Sequence, residues 1–350
     1  MMLAAPRIPR RPSWRTARRY GVVTLSGALL SAAALALSGC SAGSAGASRE
    51  GLALSAAAHS DTSMAQTLAG SYQIVTLNDN RDLTFNQLLG INNRGYIAGY
   101  FGSGADAQHP NKGYVLVPPF AQRDFLNENF PGSAQTQVIG INDNGITVGF
   151  WVNGAGANMG FYWRNGRFHN VNFPTRNNAS PAVNQLLGVN NADIAVGFYN
   201  DKAGNAHGYT FNVRTGRFTP VTIAGATSLT AAGINNRGDI AGFSTNAAGT
   251  TSAFLKTRFG HVTTIAFPGA ASTEAFGVND SDEVVGQYTV GTGSAAVSHG
   301  FVWLNGKFGT VDVPTAEGNN TVINGINDEG DLVGFFTDTA GNTDGLFALP

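Results

Sequence analysis

Beyond residue 71 one ten-residue pattern of polar and apolar positions returns six times. It reads Gly-Ile/Val-Asn-Asn/Asp-x-Gly/Asp-x-x-Ala/Val-Gly and starts at Gly90, Gly140, Gly188, Gly233, Gly277 and Gly325. The intervals of 50, 48, 45, 44 and 48 residues mark a repeat architecture. Each copy predicts two strands joined by a tight turn. Asn-Asn or Asn-Asp opens the turn, and its fourth position is Gly95, Gly145, Asp193, Gly238, Asp282 or Gly330. Such a turn takes one residue in the left-handed region, free for Gly and better tolerated by Asp than by most residues. The asparagines Asn92, Asn142, Asn190, Asn235, Asn279 and Asn327 therefore read as turn formers, with a channel-lining ring as the alternative.

An adjacent apolar pair follows each turn, as in Ile97-Ala98 and Val284-Val285. Adjacent apolar positions predict a strand covered on both faces. The glycine after the pair (Gly99, Gly149, Gly197, Gly242, Gly286, Gly334) is assigned to close backbone approach. A second block with a small residue and usually an aromatic, such as Gly160-Phe161 or Gly300-Phe301, predicts a third strand. Asn165-Gly166 and Asn305-Gly306 are two-residue hairpin signals leading to a fourth. Four strands per copy make one antiparallel blade.

The final copy ends on its third strand, at 344–349, while Tyr72–Leu77 has the pattern of a fourth strand and precedes the first copy. The expected fold is an all-β, six-bladed β-propeller of four-stranded antiparallel blades, its ring closed by the N-terminal strand completing the last blade. An open solenoid is the rival. Closure removes sheet edges that would otherwise pair with other chains.

Only 12% of residues are charged and 46 are Gly, which fits a turn-rich β protein. The net charge of −1 conceals an asymmetry: six of 21 basic residues, and no acidic one, precede position 40. The remainder carries 15 basic against 22 acidic residues, which disfavours nucleic acid or anionic lipid as the main partner. The single cysteine, Cys40, excludes an intrachain disulfide and a cysteine-based metal site.

Six arginines followed by an uncharged apolar run from about Tyr20 to Leu37 form the two parts of an export signal. The run is marginal for a membrane span. Leu37-Ser38-Gly39-Cys40 then resembles the bacterial lipobox, which implies lipidation of Cys40 and a membrane partner through that lipid. Ser41 is not the aspartate that retains proteobacterial lipoproteins in the inner membrane, so the outer membrane is the expected destination. The implied organisation is a signal peptide at 1–39, a flexible Ala/Gly/Ser-rich tether at 40–70 and the repeat domain at 71–350.

The GIND turns, the apolar–Gly–aromatic strand and HGFVW, in this order, resemble the bacterial extracellular HAF repeats. The block that names them is matched by His207-Gly208-Tyr209 and His299-Gly300-Phe301. Lys112, Met159, Ser252 and Asp344 depart from the histidine slot, so that histidine is no general catalytic residue. The resemblance implies an extracellular repeat protein and carries no activity.

No HExxH spacing, His–carboxylate pair or Gly-x-Ser-x-Gly elbow is legible, and no cofactor is called for. Asp201 and Asp338, each before Ala-Gly-Asn, are calcium candidates, with an ordinary turn as the competing explanation. Trp151 and Trp163 could offer stacking faces to a sugar, although Trp163 shares a slot with Trp303 and reads as core. Function is expected where the copies differ: 102–112 with His109 and Lys112, 118–131 with Arg123, Asp124 and Glu128, and 288–298. The first reading is a non-catalytic, envelope-anchored binding module for a glycan or protein. The alternatives are a propeller hydrolase or lyase acting on a glycan or lactone-like substrate at the central channel, and a structural envelope lipoprotein.

Overall fold

The computed structural model describes residues 72–174, 183–314 and 316–350, without the side chains of 317–319. Leu37, Ser38, Gly39, Cys40 and the tether lie outside the described residues.

The chain is all-β, a propeller arrangement of four-stranded antiparallel units. The N-terminal strand is β1 (Gln73–Thr76). Unit I follows as β2 (Asn86–Ile91), β3 (Ile97–Phe101), β4 (Lys112–Leu116) and β5 (Phe125–Asn127). Unit II is β6 (Gln135–Ile141), β7 (Thr147–Val152), β8 (Asn158–Arg164) and β9 (Arg167–Val171). Unit III is β10 (Asn184–Val189), β11 (Ile194–Asn200), β12 (Ala206–Asn212) and β13 (Arg217–Pro220). Unit IV is β14 (Ala226–Ile234), β15 (Ile240–Asn246), β16 (Thr251–Lys256) and β17 (Val262–Ile265). Unit V is β18 (Ser272–Val278), β19 (Val284–Val290), β20 (Val297–Leu304) and β21 (Lys307–Val311). The last unit has β22 (Ala316–Ile326), β23 (Leu332–Asp338) and β24 (Thr343–Leu349), with β1 paired antiparallel to β24 from Gln73↔Leu349 to Thr76↔Leu346. One parallel pairing, Thr251↔Ser272, joins units IV and V into an eight-stranded sheet.

The turns adopt the geometry their residues predict. Gly95, Gly145, Gly238 and Gly330 have φ of 72°, 76°, 88° and 82°, and Asp193 and Asp282 match them at 61° and 63°. Asn165 and Gly166, at 51° and 78°, form the two-residue hairpin between β8 and β9.

The two glycine series do different jobs. A methyl on Gly140 would stand 2.8 Å from the Leu187 carbonyl oxygen of the next unit, and one on Gly188 would stand 2.9 Å from that of Ala232. Gly325 would likewise meet Leu89 at 2.8 Å, so the first repeat glycine is where neighbouring inner strands approach. Gly99, Gly149 and Gly242 instead face carbonyls of their own inner strand, beside the Tyr114, Phe161 and Phe254 rings. Close backbone approach, as read from sequence, holds here too, between strands of one unit and at a β-bulge such as that between Leu88 and Gly90.

Those rings form the core. Tyr114, Phe161, Tyr209, Phe254 and Phe301 occupy one repeat slot and are fully buried, with Leu346 in the sixth. Burying such a side chain stabilises by about 2–3 kcal/mol. Apolar clusters span successive units: Ile146 and Val148 of unit II pack with Leu186, Ala195 and Tyr209 of unit III. Val333 and Phe347 of the last unit pack with Leu88 and Ile97 of unit I.

Candidate functional site

The asparagine turns of all six units come together around one small depression of about 60 Å³. Five of the six first asparagines serve both their own turn and a neighbour, whereas Asn327 Nδ2 donates to Asp331 within its own turn. Asn142 Oδ1 accepts from Asn144 N and Ile146 N, while Nδ2 donates to the Asn190 carbonyl of the next unit at 2.9 Å. The same inter-unit bond runs from Asn92 to Asn142, Asn190 to Asn235, Asn235 to Asn279 and Asn279 to Asn327. These residues are turn formers, as read from sequence, and they also tie one unit to the next.

The residue after each asparagine makes a second tier. Asn93 N donates to Asp143 Oδ1, Asp143 N to Asn191 Oδ1, and Asn191 N to Asn236 Oδ1, at 2.9, 2.8 and 2.9 Å. Asn236 N donates to Asp280, Asp280 N to Asp328, and Asp328 N returns to Asn93, at 2.7, 2.8 and 2.9 Å. Three carboxylates stand at the mouth of the depression, yet each oxygen is occupied holding a neighbour: Asp143 Oδ2, for example, accepts from Asn191 Nδ2 at 2.7 Å. The arrangement is a brace built from hydrogen bonds to backbone N–H groups.

A larger cleft of about 420 Å³ opens at the same end, where units II and III meet. It is lined by Asn144, Gly145 and Ile146 from one turn, Trp163 to Asn165 from the β8–β9 hairpin, Asp193 from the next turn, and Arg214 from the β12–β13 hairpin. Asp193 is its fixed point. Its side chain is 3% exposed and accepts from Arg214 Nε at 2.8 Å and from Asn144 Nδ2 at 3.1 Å. Burial pushes the Asp193 carboxyl up, but hydrogen bonds from Arg214 and Asn144 and the charges of Arg214 and Arg164 outweigh it and hold it below the ordinary value. The group is therefore ionised. Among the described residues no carboxylate forms an ion pair with Arg164.

Of the residues singled out from the sequence as possible ligand contacts only Trp163 lines the cleft; Gly145, Asn165 and Asp193 read from sequence solely as turn residues. A signal for it was present: the β12–β13 connection, Val213-Arg214-Thr215-Gly216, is two residues longer than Asn165-Gly166, and the extension carries Arg214. That Arg214 reaches a carboxylate 21 positions earlier has no local signature.

The sequence-chosen residues are dispersed. His109 Nδ1 meets Asp106 Oδ1 at 3.1 Å within the β3–β4 loop, and Lys112 begins β4. Arg123 and Asp124 lie in a short 3-10 turn, where Asp124 Oδ2 accepts from Ala121 N at 2.8 Å. Glu128 is half-buried against the Thr147 hydroxyl, and desolvation pushes its carboxyl up to about 7 although that hydrogen bond pulls it down. Trp151 stacks on Phe130 at 4.4 Å and donates from Nε1 to Asn170. Trp163 packs beside Phe161 and Phe168 on the unit I side, as core.

Asp201 sits in unit III and Asp338 in the last unit, each bonded inside its own turn. Asp201 Oδ1 accepts from Ala203 N and Asn205 N, and Asp338 Oδ1 from Ala340 N and Asn342 N. The competing turn explanation accounts for both, and no cluster of three or more candidate metal ligands occurs among the described residues.

The expected lack of His–carboxylate pairs is overturned. His207 Nε2 meets Asp201 at 2.9 Å and His299 Nδ1 meets Asp312 at 2.8 Å, in addition to the His109–Asp106 pair. The carboxylates reach the histidines through a loop and a neighbouring strand, which linear spacing does not display. His207 also stacks on Tyr199, which stacks on Phe173, and His299 repeats this with Tyr288 and Phe267. The second Asp–His arrangement thus ends a packed aromatic column.

No family model and no curated protein sequence matches the chain. Solved structures do. TolB from Acinetobacter baumannii is similar at 12% identity and a TM-score of 0.46, over 72% of this chain and 63% of its own, so the chain spans less than two thirds of that protein. A mutant of AofleA from Arthrobotrys oligospora is similar at 12% identity and 0.47, over 79% and 86%. The β-propeller domain of the Trilobed protease from Pyrococcus furiosus is similar at 8% identity and 0.43, over 76% and 95%.

Proposed function

We propose that this chain is a non-catalytic, envelope-anchored binding module: a six-bladed ring, closed by β1, that presents one ligand cleft between units II and III. The observation that carries the binding reading is that cleft, with a buried, ionised Asp193 holding Arg214 in place beside Arg164. Polar groups held in a concave site before any ligand arrives lower the ordering cost of binding. Closure is supported by the β1–β24 pairing and by the hydrogen bond from Asp328 back to Asn93.

Export and lipidation of Cys40, with the outer membrane as destination, rest on the arginine-rich leader and the Leu37-Ser38-Gly39-Cys40 run. Membership of the HAF repeats rests on the GIND and HGF blocks. Incorporation of a labelled fatty acid into the wild type and its loss in Cys40→Ala tests the anchor. A thermal-shift screen of glycans and metabolites tests the binding reading: a ligand whose shift disappears in Asp193→Asn is expected, and a library that shifts nothing overturns it.

A further inference from the structure

Resting on that binding reading, we infer that the cleft between units II and III takes an anionic saccharide whose carboxylate sits on Arg164 and Arg214. Arg214 is tethered through Nε alone, by an Asp193 side chain only 3% exposed. Its terminal nitrogens make no hydrogen bond among the described residues, and Arg164 forms no ion pair there. A guanidinium fixed at one nitrogen offers the rest of its planar fork to a carboxylate with little further loss of freedom.

The local field agrees. Asp193 offsets one of the two arginines, which leaves the cleft with a net positive charge. Residues 135–220, which span units II and III, carry six Lys and Arg against three Asp and Glu, in a chain whose part after position 40 has 15 basic and 22 acidic residues. An anion is therefore drawn to this sector rather than to the rest of the surface.

The rest of the lining selects a sugar among anions. The exposed Asn165 amide and the Oδ1 of exposed Asn144, whose Nδ2 is already held by Asn191 and Asp193, are open to hydroxyls. Trp163, half-buried against the core cluster that holds Phe161, also lines the cleft.

Calorimetric titration of the whole exported chain with a galacturonic acid trisaccharide, its methyl ester and sodium sulfate tests the inference. The acid is expected to bind at least about tenfold more tightly than the ester and to weaken as salt rises. Arg164→Ala is expected to weaken it by about tenfold or more, with Arg164→Lys in between. Arg258→Ala, on a hairpin of unit IV, is expected to leave binding and melting temperature unchanged. Equal binding of acid and ester, binding unaffected by Arg164→Ala, or sulfate competing as well as the trisaccharide overturns the inference. The module reading survives those outcomes when a neutral ligand still protects the wild type and not Asp193→Asn. If no saccharide binds, the inference falls, and the thermal-shift library decides the module reading separately.

Discussion

Asp328 and Asn93 lie 235 positions apart, and the Asp328 N–H donates to Asn93 Oδ1 at 2.9 Å. The same side chain donates from Nδ2 to Asp328 Oδ2 at 2.7 Å and to Asp143 Oδ2 at 3.3 Å. One amide thus separates two carboxylates of different units. Asn93→Asp would keep the acceptor, remove both donors and put a third carboxylate between the two. We expect it to destabilise by about 1–3 kcal/mol, with much of the loss recovered at pH 3 or in 1 M salt. Chemical denaturation at pH 3 and at pH 7 checks this, and a pH-independent penalty would argue against charge as its cause.

Removal of residues 71–80 deletes β1 and exposes the β24 edge. The melting temperature of the whole domain is expected to fall, with increased self-association through the freed edge. An unchanged melting curve would sink the closure proposal.

Glu128 sets a pH dependence. Its folded-state carboxyl titrates at about 7 against an ordinary 4.5, so the folded chain holds a proton that the unfolded chain has released. Stability is greatest below about pH 4.5, as far as this group contributes, and declines as pH rises through 7, by at most about 3 kcal/mol. Glu274, half-buried beside Gln287, shifts in the same direction. Glu128→Gln should melt higher than the wild type at pH 8 and no higher at pH 4.5, as read by calorimetry.

Two glycines separate packing from sequence resemblance. Gly140→Ala puts a methyl 2.8 Å from the Leu187 carbonyl oxygen and 3.0 Å from Gly188 Cα, both backbone, and is expected to cost about 2 kcal/mol or more. Gly154→Ala meets nothing within 4 Å and is expected to change stability by less than about 0.5 kcal/mol. Equal melting temperatures would show that the units are not pressed together at Gly140.

The repeat made the strands legible because each strand and turn is a local decision. Asp193 and Asp282 were recognisable as left-handed turn residues from their place in a series of glycines. Asn165-Gly166 announced its hairpin for the same reason. The cleft was not legible. Asp193, read only as a turn residue, proves to be the anchor for an arginine that belongs to another hairpin of its unit. The loops chosen for their variability, with His109, Lys112, Arg123, Asp124 and Glu128, contribute nothing to that cleft.

Sequence alone determined the alternation of buried strands and tight turns, the six-fold recurrence, and the pattern that pairs a first strand with an incomplete last copy. Backbone propensity and burial of apolar residues act over a few neighbouring positions, so a linear pattern displays them. Tertiary structure alone decided which partner each polar side chain found. Asn93 bonds to Asp328, Arg214 to Asp193 and His299 to Asp312 because packing of the units brings together groups that chain order keeps apart. Hydrogen bonds and ion pairs are short-ranged and directional, so their identity waits on that packing.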